Sequence, residues 1–270
     1  MGSTADPAAI EIVDNSSVVV LDRLEATEAE LTVVIPVFNE VQTIREVLER
    51  VIAEVTPKDV VIVDDGSRDG TQAVLAEWCD QWKSTMPPAH VRRVLSVRHP
   101  VNRGKGAAIR TGLEFAQSKF VIVQDADLEV SPKEYPGLLQ PLLADKADFV
   151  IGYRSLSNEN ASRLTFRAGI WLLNLTVRLL YGIRVRDEAC CFKLLQTRDM
   201  KRMKLECRGF EFCPEVVAKA ARLGLRFADV PIAYHPRMSA EGKKLQLRDG
   251  LIALLTLWKY RHWQETPRES

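Results

Sequence analysis

The chain has 270 residues, of which 46% are hydrophobic and 27% charged, a balance that suits a globular α/β protein with a substantial core. Lys and Arg number 37 against 36 Asp and Glu, a formal net charge of +1, so no bulk attraction to nucleic acid is expected. The five cysteines (Cys79, Cys190, Cys191, Cys207 and Cys213) are odd in number and include no CxxC pair, which argues against a disulfide framework or a structural zinc site and for a reducing compartment.

Residues 1–30, rich in Ser, Asp, Glu and Ala, read as a flexible leader. Their only apolar run, Val18 to Leu21, has no basic region before it, so no signal peptide is expected. No stretch reaches the roughly 18 apolar residues of a spanning helix. The nearest candidate, Ala168 to Gly182, is interrupted by Asn174 and Arg178. A cytoplasmic protein, soluble or peripheral on the cytoplasmic face of a membrane, is expected.

Leu31 to Pro36 is a β-branched run stopped by proline and predicts a buried strand. Val41 to Val55 has helical apolar spacing. Val60 to Val63 predicts a second strand, Gln72 to Trp82 a helix, Val91 to Val97 a third strand, Lys105 to Gln117 a helix and Phe120 to Val123 a fourth strand. Pro132 to Leu143 is helical with proline near its start, and Asp148 to Gly152 is a fifth strand. Beyond it, Leu164 to Tyr181, Phe210 to Leu223 and Leu247 to Trp263 read as helices. Phe227 to Tyr234 reads as a strand placed at an edge by Pro231. The predicted organisation is a leader (1–30), an α/β domain (31–246) and a C-terminal amphipathic helix and tail (247–270).

Strands alternating with helices imply parallel βαβ units, whose ligands sit beyond the carboxyl ends of the strands. Polar clusters fall at those ends: Asn39-Glu40, Asp64 to Asp69, and Asp125 to Glu129. The sharpest is Asp125-Ala126-Asp127, two carboxylates around one small residue after a buried strand. Carboxylate oxygens hold a hard cation such as Mg²⁺ or Mn²⁺, and such a cation stabilises a departing diphosphate. A solvated acidic turn is the plainer alternative.

Further motifs accompany it in order: Pro36-Val37-Phe38-Asn39-Glu40, Asp64-Asp65-Gly66-Ser67-Arg68-Asp69-Gly70-Thr71, Asn102-Arg103-Gly104-Lys105-Gly106, and Gly152-Tyr153-Arg154. Together they resemble the family 2 glycosyltransferases of the GT-A fold, and more narrowly the polyprenyl-phosphate hexose synthases that make dolichyl-phosphate mannose or glucose. The resemblance covers roughly residues 31 to 260. It implies a Rossmann-like, mostly parallel sheet flanked by helices, and a metal-dependent, inverting transfer of a hexose from GDP-mannose or UDP-glucose to a polyprenyl or dolichyl phosphate. The same fold with a soluble acceptor, a nucleotidyltransferase and an inactive nucleotide-sugar binder remain alternatives.

By position the resemblance assigns Pro36, Phe38, Glu40, Val63 and Asp65 to the nucleotide, with Asp65 open to the alternative of a helix-capping turn. Asp125, Ala126 and Asp127 go to diphosphate and metal, with Glu129 as a further ligand or a residue merely preceding the helix at Pro132. Lys105 lies near phosphate or faces solvent. Arg154 meets a diphosphate or acceptor phosphate and is catalytic together with Asp127, and Arg163 and Arg167, further basic residues on a helix, bind the acceptor phosphate. Asp187-Glu188-Ala189-Cys190-Cys191-Phe192-Lys193 resembles the segment D-x-x-C/S-G-F-K/R, giving Asp187 and Lys193 catalytic roles, with Cys191 in place of glycine. Glu211 and Glu215 resemble an F-x-x-E segment, and Arg237 with Glu241 to Leu245 resembles the loop R-x-x-G-E-S-K-L with Glu and Gly exchanged, in which Arg237, Lys243 and Lys244 bind the acceptor phosphate, with a solvated basic loop as the alternative for Lys243. An alcohol acceptor would need a carboxylate base, for which Glu211, Asp187 and Glu188 are candidates. The helices at 168–181 and 247–263 could each face core or membrane surface, with a membrane partner protein as the other route to a lipid acceptor.

Overall fold

β-Branched runs that are apolar on both faces bury themselves only inside a sheet covered on both sides. A computed structural model, which describes residues 19–22, 29–84, 88–154, 164–236 and 247–265, shows this burial in the strands at 31–37, 58–64 and 120–123. The chain divides into two compact units, Met1–Leu128 and Glu129–Ser270, a division that the reading of one domain over 31–246 did not anticipate.

In the first unit the strands are β1 (Val19–Asp22), β2 (Leu31–Val37), β3 (Lys58–Asp64), β4 (Val91–Arg98) and β5 (Phe120–Val123). Their order is β1-β4-β3-β2-β5, parallel except for β1, which runs antiparallel to β4. Every residue of β2 and β3 is buried. The register sets Pro36 beside Val63 and Val37 beside Asp64, so both chains leave the sheet level with one another. Within the leader, four residues form β1, where Val20 pairs with Leu95 on the template that β4 supplies.

Three helices cover this sheet: α1 (Ile44–Ala53), α2 (Thr71–Ser84) and α3 (Lys105–Glu114). The apolar stripe of α1, namely Ile44, Val47, Leu48, Val51 and Ile52, is buried as its spacing predicts. α3 lies close to β2 at Gly112, where an added Cβ would stand 2.4 Å from Cγ1 of Val34.

The second unit contains a short 3₁₀ turn (Pro132–Glu134), α4 (Tyr135–Leu143), β6 (Phe149–Arg154), α5 (Leu164–Tyr181), β7 (Lys193–Gln196), α6 (Thr197–Arg202), α7 (Phe212–Arg222), β8 (Phe227–Ile232) and α8 (Leu247–Lys259). β6 pairs antiparallel with β7 and parallel with β8, and Pro231 of β8 stands beside Tyr153. β7 and α6 escape sequence reading because four and six residues carry no resolvable period. α5 buries Leu173 and Val177, α8 buries Ala253 and Leu257, and the two helices pack together, with the Tyr181 hydroxyl donating to the Leu257 carbonyl.

The contact at Gly112 yields a prediction. Alanine improves helix propensity by about 1 kcal/mol, but overpacking a filled core costs about 1–3 kcal/mol. Val34 is fully buried and has little freedom to retreat, so Gly112→Ala should lower the unfolding free energy in urea. An unchanged or raised midpoint would contradict this packing.

Candidate functional site

The polar loops at the strand ends of the first unit are tied to each other by side-chain bonds to backbone. Asn39 takes the left-handed conformation at φ 54°, which asparagine tolerates. Its N–H donates to Ser67 Oγ at 2.9 Å, and its Oδ1 accepts from Arg68 N at 2.9 Å. Glu40 N donates to Thr71 Oγ1 at 2.9 Å, and Val41 N to Asp69 Oδ2 at 3.1 Å. The Thr43 hydroxyl reaches the Ala126 carbonyl at 2.7 Å and so joins the loop after β2 to the loop after β5. Gly66 is required between them: its φ is 73°, and a Cβ there would lie 2.7 Å from the Val101 carbonyl carbon.

Asp65 is buried at the centre of this edge. Its Oδ1 accepts from His99 Nδ1 at 2.6 Å and Arg103 N at 2.9 Å, and its Oδ2 from Gly104 N at 2.7 Å. His99 in turn meets Thr111 Oγ1 on α3 at 2.9 Å. Asp65 therefore holds the loop that enters α3. No sequence pattern singles out His99, because a lone histidine after a strand is usually a satisfied core residue.

Lys105, the first residue of α3, places its Nζ 2.6 Å from Asp125 Oδ1, and both side chains are one-fifth exposed. Asp127 is partly exposed as well. The next residue, Leu128, has φ 63°, a conformation that bulky side chains rarely adopt and that tends to cluster at functional sites. Among the described residues no group of three or more His, Cys, Asp or Glu side chains surrounds a metal position. Two adjacent carboxylates still fit Mg²⁺ or Mn²⁺, which commonly bind one or two protein carboxylates and complete their shell with phosphate and water. Asp125 already faces a cation, the Lys105 ammonium.

In the second unit Asp187 grips Arg154 with both oxygens: Nε to Oδ2 at 2.6 Å and Nη2 to Oδ1 at 2.8 Å, with Arg154 N also donating at 3.2 Å. Burial opposes the charge on Arg154, yet the Asp187 hydrogen bonds raise its pKa overall. Its guanidinium stands 5.2 Å from the Tyr234 ring. Burial pushes the Tyr234 phenol up to about 12, so it remains a donor, and it meets Glu129 Oε2 at 3.2 Å.

The remaining expected site residues take varied places. Lys193 is fully buried, with Nζ donating to the carbonyls of Glu188 at 2.7 Å and Cys190 at 2.6 Å, so it holds the turn before β7. The Val63 side chain lies in a core cluster with Val61, Leu95, Val97 and Ala108, so only its backbone reaches the strand end. Pro36 is buried within β2, whereas Phe38 and Glu40 are partly exposed. Ala126 is buried, and Glu129 belongs to the second unit. Arg167 is exposed on α5. Arg163, Arg237, Lys243 and Lys244 lie outside the described residues. Glu211 accepts from the N–H groups of Arg208 and Gly209, and Glu215 forms a fully buried pair with Lys219 at 2.6 Å, so neither resembles a free base.

The sequence profile of glycosyl transferase family 2 matches residues 32–202. The chain belongs to this family. This family 2 glycosyltransferase is 27% identical over 245 residues to the dolichyl-phosphate beta-glucosyltransferase ALG5A of Trichomonas vaginalis, covering 84% of this chain and 71% of that one. It is 28% identical to the undecaprenyl-phosphate mannosyltransferase of Micrococcus luteus, covering 78% and 85% of the two chains. Among solved structures, glucosyl-3-phosphoglycerate synthase from Mycobacterium tuberculosis in complex with Mn²⁺, uridine diphosphate and phosphoglyceric acid superposes with a TM-score of 0.63 at 20% identity, covering 88% of this chain and 80% of that one. The fold is thus GT-A, a mostly parallel sheet flanked by helices.

One buried acid makes stability depend on pH. Burial raises the Glu188 carboxyl from 4.5 to about 7. Between those values the folded chain binds a proton that the unfolded chain has lost, so stability falls as pH rises, by about 3 kcal/mol once both are ionised. Glu188→Gln should therefore raise the urea midpoint more at alkaline than at acidic pH. Equal shifts at both would contradict the burial effect.

Proposed function

We propose that this enzyme transfers a hexose from a nucleotide sugar, UDP-glucose or GDP-mannose, to a polyprenyl phosphate at a membrane surface. The observation that carries the reading is the Asp125-Ala126-Asp127 turn at the end of β5, tied through Thr43 to the loop after β2 and paired with Lys105. It is supported by the relatives named above, a dolichyl-phosphate glucosyltransferase and an undecaprenyl-phosphate mannosyltransferase.

In this reading Phe38, Glu40 and the edge organised by Asp65 receive the nucleoside. Asp125 and Asp127 would hold Mg²⁺ or Mn²⁺, which when bound offsets charge on the departing diphosphate. Lys105, released from Asp125, turns its ammonium toward the same phosphates. Arg154, held by Asp187, presents a fixed guanidinium to a phosphate. An acceptor phosphate oxygen forms the new bond to the anomeric carbon as the bond from that carbon to the nucleoside diphosphate breaks, with inversion. The acceptor oxygen is already ionised near neutral pH, so no strong general base is required. Positioning and charge stabilisation carry the rate.

Asp127→Ala should lower formation of glycosylated polyprenyl phosphate, followed by mass spectrometry, by roughly 100-fold or more. EDTA should have the same effect on the parent enzyme. Undiminished turnover in either case removes the metal from the mechanism, and product formed only on water-soluble acceptors removes the lipid.

The membrane part rests on the faces that α5 and α8 leave open. No helix among the described residues is long and apolar enough to cross a bilayer. Trp171, Leu172 and Leu179 on α5 and Leu251, Ile252, Leu255 and Trp258 on α8 are nevertheless exposed, Leu179 by 75% and Trp171 by 64%. Arg167, Arg178, Arg248 and Lys259 are exposed on the same helices. Apolar and basic groups on one pair of helices suit an anionic bilayer surface. Sedimentation with phosphatidylglycerol vesicles should retain the parent enzyme and lose the Trp171→Ser, Trp258→Ser variant. Equal binding of both, or of neither, would exclude this face.

A further inference from the structure

The second unit contains an acid that the proposed reaction leaves unused. Glu188 is 1% exposed, and neither carboxylate oxygen has a hydrogen-bond partner among the described residues. Its backbone is held at both ends of the peptide unit: its N–H donates to Asn174 Oδ1 on α5 at 3.0 Å, and its carbonyl accepts from Lys193 Nζ on β7 at 2.7 Å. A dry, unpaired carboxylate is tolerated far better as the neutral acid than as the anion.

Its neighbours fix the sense of the effect. Lys193 and Arg154 favour the anion, Asp187 disfavours it, and burial outweighs them all. Lys193 remains charged: burial works against it, but Cys213, Glu188, Cys190 and Asp187 together raise its pKa. Asp229 on β8 accepts from Arg186 N at 3.3 Å and adds a further acid near Asp187. Asn174 is neutral. Glu188 thus sits one residue from the carboxylate that orients Arg154, among charges that respond to its proton.

We propose that Glu188 is a positioning residue for Arg154: as the neutral acid it leaves the guanidinium clamped by Asp187, and as the anion it competes for Arg154 and Lys193 and loosens the grip on a bound phosphate. The proposal rests on the reading that Arg154 meets a phosphate of donor or acceptor. It predicts an enzyme that favours the acidic side of neutrality, and it adds to the Asp187–Arg154 clamp a control carried by the neighbouring side chain.

The experiment compares pH profiles of glycosyl transfer for the parent chain and for Glu188→Gln, with Glu188→Met as a second non-titrating replacement of similar volume. In the parent, KM for polyprenyl phosphate should rise roughly tenfold as the pH climbs through the Glu188 transition, with less change in kcat. Both variants should lose that rise. An infrared pH titration of the parent, read against Glu188→Gln, should show a protonated carboxylic-acid band that disappears near pH 7 and is missing from the variant. An active parent whose KM profile is unchanged by both substitutions overturns this proposal alone, as does the absence of the acid band at acidic pH. A parent that glycosylates no polyprenyl phosphate at any pH overturns the functional reading instead, while the infrared titration still reports the proton on Glu188.

Discussion

The hydrogen bonds of one buried carboxylate organise the polar loops at the strand ends of the first unit. Asp65 sits directly after β3 and takes His99, Arg103 N and Gly104 N with its two oxygens. Without a buried acceptor there, three donors of the loop after β4 would be stranded, and α3 would lose its fixed starting point. Lys105 begins that helix, so the position of its ammonium against Asp125 follows from Asp65 one step removed. A buried carboxylate of this kind is tolerated because each oxygen accepts from at least one donor, and two of the three donors are backbone groups.

Much of this was legible in the sequence. The β-branched runs at 31–36, 60–63 and 120–123 became β2, β3 and β5, because a strand buried on both faces leaves an unambiguous apolar signature. The helix at 164–181 carries its own boundaries. Polar residues after the strands had to share an edge once the strands were parallel. That argument needs only strand direction, which the intervening helices dictate.

Direction of side chains was less accessible. Val63 and Asp65 are two residues apart, yet one belongs to the core and the other to the loops, a distinction set by register and by partners far along the chain. Lys193 reads as a basic residue in a motif, but its burial depends on the turn at 187–190 folding back to offer two carbonyls. β1 and β7 are too short to show a period and exist because neighbouring strands offer free edges. The isolation of Glu188 is likewise invisible in a string, since an unpaired acid is defined by what fails to approach it.

The account stands on the claim that the loops after β2, β3 and β5 form a receptor for a nucleoside diphosphate joined to a divalent cation. Calorimetric titration of UDP and GDP into the enzyme, with and without Mn²⁺, addresses it most directly. Saturable binding of at least one of them that requires the cation, and that is lost when Asp125 is replaced by alanine, is the predicted result. Heats that are absent for both nucleotides, or identical with and without the cation, would contradict it.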